Sequence, residues 1–352
     1  MKGFSEKVLR WFDQQGRKDL PWQKDINPYR VWVSEIMLQQ TQVKTVIPYY
    51  QRFMQSFPSV EALAKATQDE VLKHWSGLGY YARGRNLHKT AQQVCDQFTG
   101  VFPTSLDEMQ HLPGIGRSTA AAILSIAHNQ QHAILDGNVK RVIARVFAVS
   151  GWPGQSVVLK KLWALADELV PDSRNADYTQ AMMDLGATVC TRTKPACGNC
   201  PLNTGCLALK QGNIADYPGK KPKKAIPKRE AIMLILQTVQ DEILMIKRPP
   251  LGIWGGLWCF PQFDHHEQAE QWLLENYRLT LDNATVFDSF QHVFSHFKLD
   301  IQPYLLSLKR DNPTPLKLGV MEADDQLWYN INTEFNGGLA APVQTLLNRI
   351  KE

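Results

Sequence analysis

Long apolar runs are missing from this 352-residue chain. No uninterrupted stretch approaches the ~18 residues that a membrane span requires, and no charged-then-apolar leader opens the sequence. A membrane-embedded or exported protein is therefore not expected, and the cytoplasm is the expected location. Cysteine is scarce, at six residues, and nothing else in the sequence suggests the oxidising compartment that disulfides need. Internal repeats are absent, and low complexity is confined to one linker, which excludes solenoid architectures. What is present is a composition of 44% hydrophobic and 21% charged residues, long enough for two or three domains with a large core.

The formal net charge of +5 conceals an asymmetry. Residues 1–225 carry 28 Lys+Arg against 18 Asp+Glu, whereas residues 226–352 carry 11 against 16. The basic portion is the expected polyanion binder. The two portions meet at residues 217–229, YPGKKPKKAIPKR, where three prolines and six basic residues stand without an acid, the composition of a semi-extended linker. Before it, apolar residues recur at helical spacing, as in Val43, Val46, Ile47, Tyr50, Phe53, Met54 and Phe57. After it come short β-rich runs at 232–236, 243–246, 299–306 and 327–331, with helical patterns near 267–277 and 342–351. The expected fold is multidomain: an all-α domain over 1–216, the linker 217–229, and an α+β domain over 230–352.

Four of the cysteines fall within 17 residues, as Cys190, Cys197, Cys200 and Cys206 in a C-x6-C-x2-C-x5-C run. Such a loop can fold around one metal centre. Four thiolates, no histidine, and Pro195 and Pro201 in the turns favour an iron-sulfur cluster of the [4Fe-4S] type, with zinc as the alternative. Cys95 and Cys259 lie in apolar patterns and are expected in the core.

Three further segments carry chemistry. Leu112-Pro-Gly-Ile-Gly-Arg-Ser-Thr119 stands between a helical stretch and the apolar helix AAAILSIA. Gly114 and Gly116 let such a turn present backbone N–H groups at a helix N-terminus, where a phosphate can approach without reading base sequence. This is a helix-hairpin-helix pattern. Asp136 opens the helix beginning at ILDGNVKR, where the helix dipole favours an ionised carboxylate and where an aspartate is also an ordinary N-cap. Glu35, in VWVSEIMLQQTQ, has Val31 and Leu38 one helical turn away, surroundings that raise a carboxyl pKa. One protonated and one ionised carboxylate supply the general acid and the charge stabiliser that cleavage of a glycosidic bond requires.

Through WVSEIMLQQTQV, WSGLGYYARGRNL, LPGIGRST, ILDGNVKRV, the cysteine loop, RPPLGIWGGLWCFPQF and HVFSHFKLD, the chain resembles the MutY-type adenine DNA glycosylases of the endonuclease III superfamily from end to end. The resemblance implies a helix-hairpin-helix glycosylase domain with one [4Fe-4S] cluster per chain in the loop 190–206, followed by a Nudix-like domain. It implies a monomer, associated with the nucleoid, that excises adenine mispaired with 8-oxoguanine or guanine from double-stranded DNA during base excision repair. By motif match, Glu35 protonates the adenine N7, Asp136 stabilises the oxocarbenium-like sugar directly or through a covalent adduct, and Asn138 supports the site. Gln40, Thr41, Leu78 and Tyr80 match residues that wedge into the duplex during base flipping. Trp22, Leu38 and Gln180 match the adenine pocket, and Phe294-Ser295-His296 matches the turn that contacts 8-oxoguanine. Gly114, Gly116, Ser118 and Lys140 are the remaining expected DNA contacts.

Two alternatives follow from the same segments. An endonuclease III-like glycosylase with lyase activity on oxidised pyrimidines carries a lysine where this chain has Ser118, and a hydroxyl cannot form the Schiff base. Lys140 is near enough in sequence to Asp136 for adventitious trapping only. A Nudix hydrolase of oxidised nucleotides needs a glutamate-rich REUxEE helix to hold divalent metal, and residues 266–276 read HEQAEQWLLEN instead. Recognition by the C-terminal domain is thus expected rather than catalysis.

Overall fold

The computed structural model describes residues 3–222, 225–308 and 325–351. Lys223 and Lys224 of the expected linker, and residues 309–324 of the expected C-terminal domain, lie outside the described residues. The helical spacing of the first half becomes α1 (Phe4–Gln15), α2 (Pro28–Leu38), α3 (Val43–Ser56), α4 (Val60–Lys65), α5 (Gln68–Trp75), α6 (Ala82–Phe98), α7 (Leu106–His111), α8 (Arg117–His128), α9 (Gly137–Val146), α10 (Ser156–Leu169), α11 (Asn175–Asp184) and α12 (Leu207–Lys210). Caps read from local chemistry are in place: Asn27 accepts from Arg30 N–H at the start of α2, and Thr67 and Glu70 close a capping box on α5.

By packing, the chain divides into two compact units, Met1–Lys65 with Arg85–Lys223, and Ala66–Gly84 with Lys224–Glu352. In the first unit α2, α7 and α11 pack on α8. Its apolar cluster runs from Phe4, Val8 and Phe12 of α1 through Val139, Val142, Ile143 and Val146 of α9 to Leu162 of α10 and Leu185. Cys95 is half-buried rather than central, because it lies near the exposed end of α6, whereas Cys259 is fully buried. Burial pushes the Cys259 thiol up to about 12, which makes it inert.

The second unit is built on a mixed sheet. Its strands are β1 (Lys228–Gln237), β2 (Glu242–Lys247), β3 (Trp258–Cys259), β4 (Gln262–Phe263), β5 (Thr285–Val286), β6 (Phe290–Val293), β7 (Lys298–Ser307) and β8 (Gln326–Asn330), with α13 (His266–Tyr277) and α14 (Ala341–Lys351). The main path runs β3-β2-β1-β7-β5, with β4 on β1, β6 on β7 and β8 on β2. β1 and β7 pair in parallel from Lys228↔Lys298 to Gln237↔Ser307. Nearly every residue from Ala231 to Leu236 is apolar because both faces of β1 are covered. Ala231, Met233 and Ile235 face the cluster shared with Val343, Leu346 and Leu347 of α14, while Leu234 and Leu236 face Ala269 and Leu273 of α13. Lys228 and Arg229, read from sequence as the end of the linker, are the first residues of β1.

Candidate active site and cysteine loop

Glu35 sits on the last turn and a half of α2 between buried Val31 and half-buried Leu38. The residue keeps some exposed surface, but its carboxyl is enclosed. Burial, and secondly the charge of Asp136, push it up to about 8. A proton is therefore held on Glu35 at neutral pH.

Asp136 is the N-cap of α9, its Oδ1 accepting from Val139 N–H at 2.7 Å and its Oδ2 from Asn138 Nδ2 at 3.2 Å. Desolvation raises its pKa too, opposed by those hydrogen bonds and by the Arg141 charge. Both carboxyls feel burial; Asp136 alone of the two is given donors and a nearby cation among the described residues. The hydrogen bonds and the Arg141 charge favour the charged form of Asp136 against its burial, whereas both causes acting on Glu35 favour its protonated form. Asp136 is thus the ordinary N-cap of α9, and the cap leaves its carboxyl enclosed beside the Arg141 charge.

Asn138 and Arg141 extend this network. Arg141 donates through Nη2 to Asn138 Oδ1 at 2.9 Å and to Gly186 O at 2.7 Å, and through Nε to Cys190 O at 2.7 Å. Gly186 lies in a π-turn, Leu185–Val189, that continues α11 into the cysteine loop. A Cβ on Gly186 would stand 2.5 Å from Asn138 Cβ, so only glycine permits this approach. One turn further along α9, Arg145 is 3% exposed and donates to the carbonyls of Thr191, Arg192 and Tyr217 at 2.7 to 3.0 Å, with Nη1 3.4 Å from Cys190 Sγ. Neither arginine was singled out in the sequence, although their spacing of four along NVKRVIARV places both on one helix face.

The four loop cysteines are free thiols that line one cavity with Val142, Arg145, Val189, Pro195 and Leu209. Among the described residues, no three His, Cys, Asp or Glu side chains converge as a single ion requires. The buried Arg145 guanidinium, with no carboxylate among its hydrogen-bond acceptors, lines the same cavity.

The hairpin places Gly114 at φ +79° and Gly116 as N-cap of α8. A Cβ on Gly116 would meet nothing within 4 Å, so the approach to its backbone is open. Ser118 Oγ accepts from Leu135 N–H at 2.9 Å, which ties the hairpin to the residue before Asp136. Lys140 is half-buried on the first turn of α9.

Of the expected pocket residues, Trp22 is 6% exposed and edge-on to Tyr50, with ring centroids 5.5 Å apart. Leu38 is half-buried at the open end of α2. Gln180 is buried and donates to Asp184 Oδ1 at 2.8 Å, Asp184 being itself paired with Arg17. This leaves the Gln180 carbonyl oxygen to accept. Gln40 is exposed with φ +58°, beside half-buried Thr41. Tyr80 is 49% exposed, but Leu78 is 6% exposed: as folded, Tyr80 is presented and Leu78 is buried.

In the second unit, Phe294-Ser295-His296 occupies the turn between β6 and β7, closed by Phe294 N–H to Phe297 O at 2.9 Å. Phe294 stacks on Phe297 at 4.4 Å and packs against Trp254 and His292. Ser295 and His296 are exposed. Glu267 and Glu275 of α13 are exposed as well, and Glu270 lies beside His266; among the described residues no three carboxylate, histidine or cysteine side chains converge.

Known proteins bear on this geometry. The model for the HhH-GPD superfamily base excision DNA repair proteins matches residues 33–168, and the NUDIX domain model matches residues 231–349. The adenine DNA glycosylase of Buchnera aphidicola subsp. Acyrthosiphon pisum is 40% identical over 99% of this chain and 98% of its own length, and that of Rattus norvegicus is 38% identical over 90% and 72%. The structure of a thermostable thymine-DNA glycosylase superposes with a TM-score of 0.54 at 29% identity, covering 60% of this chain and 96% of that one. Identity of 40% over nearly its whole length, with a helix-hairpin-helix unit and a Nudix-like sheet in the matching order, places this chain in the adenine DNA glycosylase family of the HhH-GPD superfamily.

Proposed function

We propose that the chain is a monofunctional glycosylase that flips adenine from duplex DNA opposite 8-oxoguanine or guanine and hydrolyses its glycosidic bond. The observation that carries this reading is the Glu35–Asp136 pair. Glu35, pushed up to about 8 by burial, holds the proton that a leaving adenine needs at N7. Asp136, fixed by Val139 N–H and Asn138, places its charge where the sugar becomes cationic. Trp22, Leu38 and the Gln180 carbonyl frame the base, and the hairpin amides with Ser118 and Lys140 hold the phosphates. Ser118 supplies no amine, so strand cleavage by Schiff-base chemistry is not part of the reaction. The reading is tested by incubating the protein with duplexes carrying A opposite 8-oxoguanine, A opposite G, and thymine glycol. Strand breaks only at the two adenine substrates, and only after alkali, support it; breaks before alkali, or at thymine glycol, refute it.

The cysteine cavity fits a [4Fe-4S] cluster better than zinc. Four thiolates lining one cavity, with no histidine among them, are the donor set that such a cluster takes. Cys190, Cys197, Cys200 and Cys206 would hold it, and Arg145 would offset its charge. A bound cluster supplies a rigid anchor for the loop that Arg141 and Arg145 tie to α9. The purified protein is expected to be brown, with broad absorption near roughly 400 nm. Cys197→Ser or Cys200→Ser should bleach it and impair folding or DNA binding; colourless protein with one equivalent of zinc refutes the assignment.

For the lesion, Ser295 and His296 are the exposed polar groups of the β6–β7 turn, with Phe294 anchoring the turn from inside. His296→Ala should reduce discrimination of 8-oxoguanine over guanine by about 1 to 3 kcal/mol, the scale of one base-reading contact. The ratio of single-turnover rates on the two duplexes measures it.

A further inference from the structure

Residues 66–84 fall in sequence inside the glycosylase match, yet they pack with the C-terminal unit. Leu72 of α5 is fully buried in the same apolar cluster as Leu257, Trp258 and Val343. The backbone at Gly338 comes so close that a Cβ there would stand 2.8 Å from Leu72 Cβ. Two ion pairs flank this contact: Asp69 Oδ2 to Lys247 Nζ at 3.0 Å, with both side chains about a quarter exposed, and Lys73 Nζ to Glu334 Oε1 at 2.8 Å. Beyond the helix, Tyr81 Oη donates to Leu339 O at 3.4 Å and accepts from Gly77 N–H at 3.5 Å.

The loop between these anchors is preset. Gly77 and Gly79 have φ +93° and +70°, and Tyr80 holds φ +49°. Arg83 donates to the carbonyls of Leu78 and Gly79 at 3.1 Å, with its guanidinium 5.4 Å from the Trp75 ring and 5.5 Å from the Tyr80 ring. A left-handed, half-exposed tyrosine fixed in this manner is built to meet a partner rather than to fill a core.

We propose that residues 66–84 form a wedge arm carried by the C-terminal unit, so that the body that reads the opposing base also drives the side chain that displaces adenine. The inference rests on the glycosylase reading above and adds to it the coupling of Lys247, Asp69 and Tyr81 to base flipping. These are positioning residues. They touch neither the adenine nor its sugar, and they set where Tyr80 stands when the duplex is engaged.

The test uses the full chain and a duplex with 2-aminopurine in place of adenine opposite 8-oxoguanine, whose fluorescence rises as the base leaves the stack. Lys247→Glu sets a like charge against Asp69. It is expected to slow the fluorescence rise, and single-turnover excision of adenine, by roughly fivefold or more. The pH at which excision declines should stay unchanged, since the acid is untouched. The exchanged pair, Lys247→Asp with Asp69→Lys, should return both rates to within roughly twofold of the parent. Should Lys247→Glu fail to fold, Tyr81→Phe removes only the hydroxyl bridging Gly77 and Leu339 and is expected to slow flipping in the same sense. Parent-like flipping in the folded variant, or slow flipping that the exchanged pair does not restore, overturns the arm. An unaltered chain that excises no adenine from any duplex overturns the glycosylase reading instead.

Discussion

Glu35→Gln should still bind a mispaired duplex while its single-turnover excision rate falls by a factor on the order of 10² or more, the scale of general acid catalysis. The amide matches the carboxyl in shape and can donate a hydrogen bond, but it has no acidic proton to transfer. In the unaltered chain the rate should decline as pH rises through about 8, where Glu35 loses its proton. Stability follows the same titration with the opposite consequence for the variant. Because the folded-state pKa is raised above the ordinary 4.5, the native protein holds a proton that the unfolded chain releases between pH 4.5 and about 8. The cost of burying the charge therefore grows as pH rises through that window and is complete above it. Glu35→Gln should be more stable than the parent above about pH 8, by a few kcal/mol, with the difference vanishing towards pH 4.5. Denaturant titrations at the two ends of the window measure it. An excision rate level across pH 8, with near-parent turnover in the variant, would remove Glu35 from the chemistry.

Asp136→Asn is expected to lose excision by a comparable factor, for a different reason. Asparagine is as good an N-cap as aspartate, so the bond from Val139 N–H survives, and because burial raises the Asp136 pKa the uncharged amide should leave the fold no less stable than the parent at neutral pH. What disappears is the negative charge beside the developing cation. Burial raises the Asp136 pKa against its hydrogen bonds, so the parent should also lose activity on the acid side, at a pH above the ordinary aspartate value, as this carboxylate takes up a proton. The pH profile is then bell-shaped, and its two limbs belong to the coupled pair. The acid limb should vanish from the residual activity of Asp136→Asn; its persistence would assign that limb to another group.

Much of the site was written locally. Asp136 is legible as a cap because an aspartate before GNVKRV satisfies a helix N-terminus by itself. The hairpin is legible because Gly114 adopts a positive φ that other residues resist. The strands of the second unit are legible because a strand buried on both faces is apolar at nearly every position, as β1 is from Ala231 to Leu236. The cysteine loop is legible because its four thiols lie within 17 residues.

Partners distant in the chain were not legible. Arg141 and Arg145 read as ordinary basic residues on a helix; only folding brings them to Gly186, Cys190 and Tyr217, because hydrogen bonds between remote segments leave no periodic trace. The parallel pairing of β1 with β7, seventy residues on, is likewise settled by packing of both faces. Leu78 and Tyr80 differ little as residues in a glycine-rich loop, yet one is packed and the other presented. The sequence by itself determined which groups could do chemistry and which local conformations they adopt, since caps, turns and amphipathic faces depend on near neighbours. Tertiary structure decided that the Asp136 charge reaches the enclosed Glu35 from a hundred residues along the chain, and that residues 66–84 pack with the C-terminal unit, since Leu72, Asp69 and Tyr81 find their partners there.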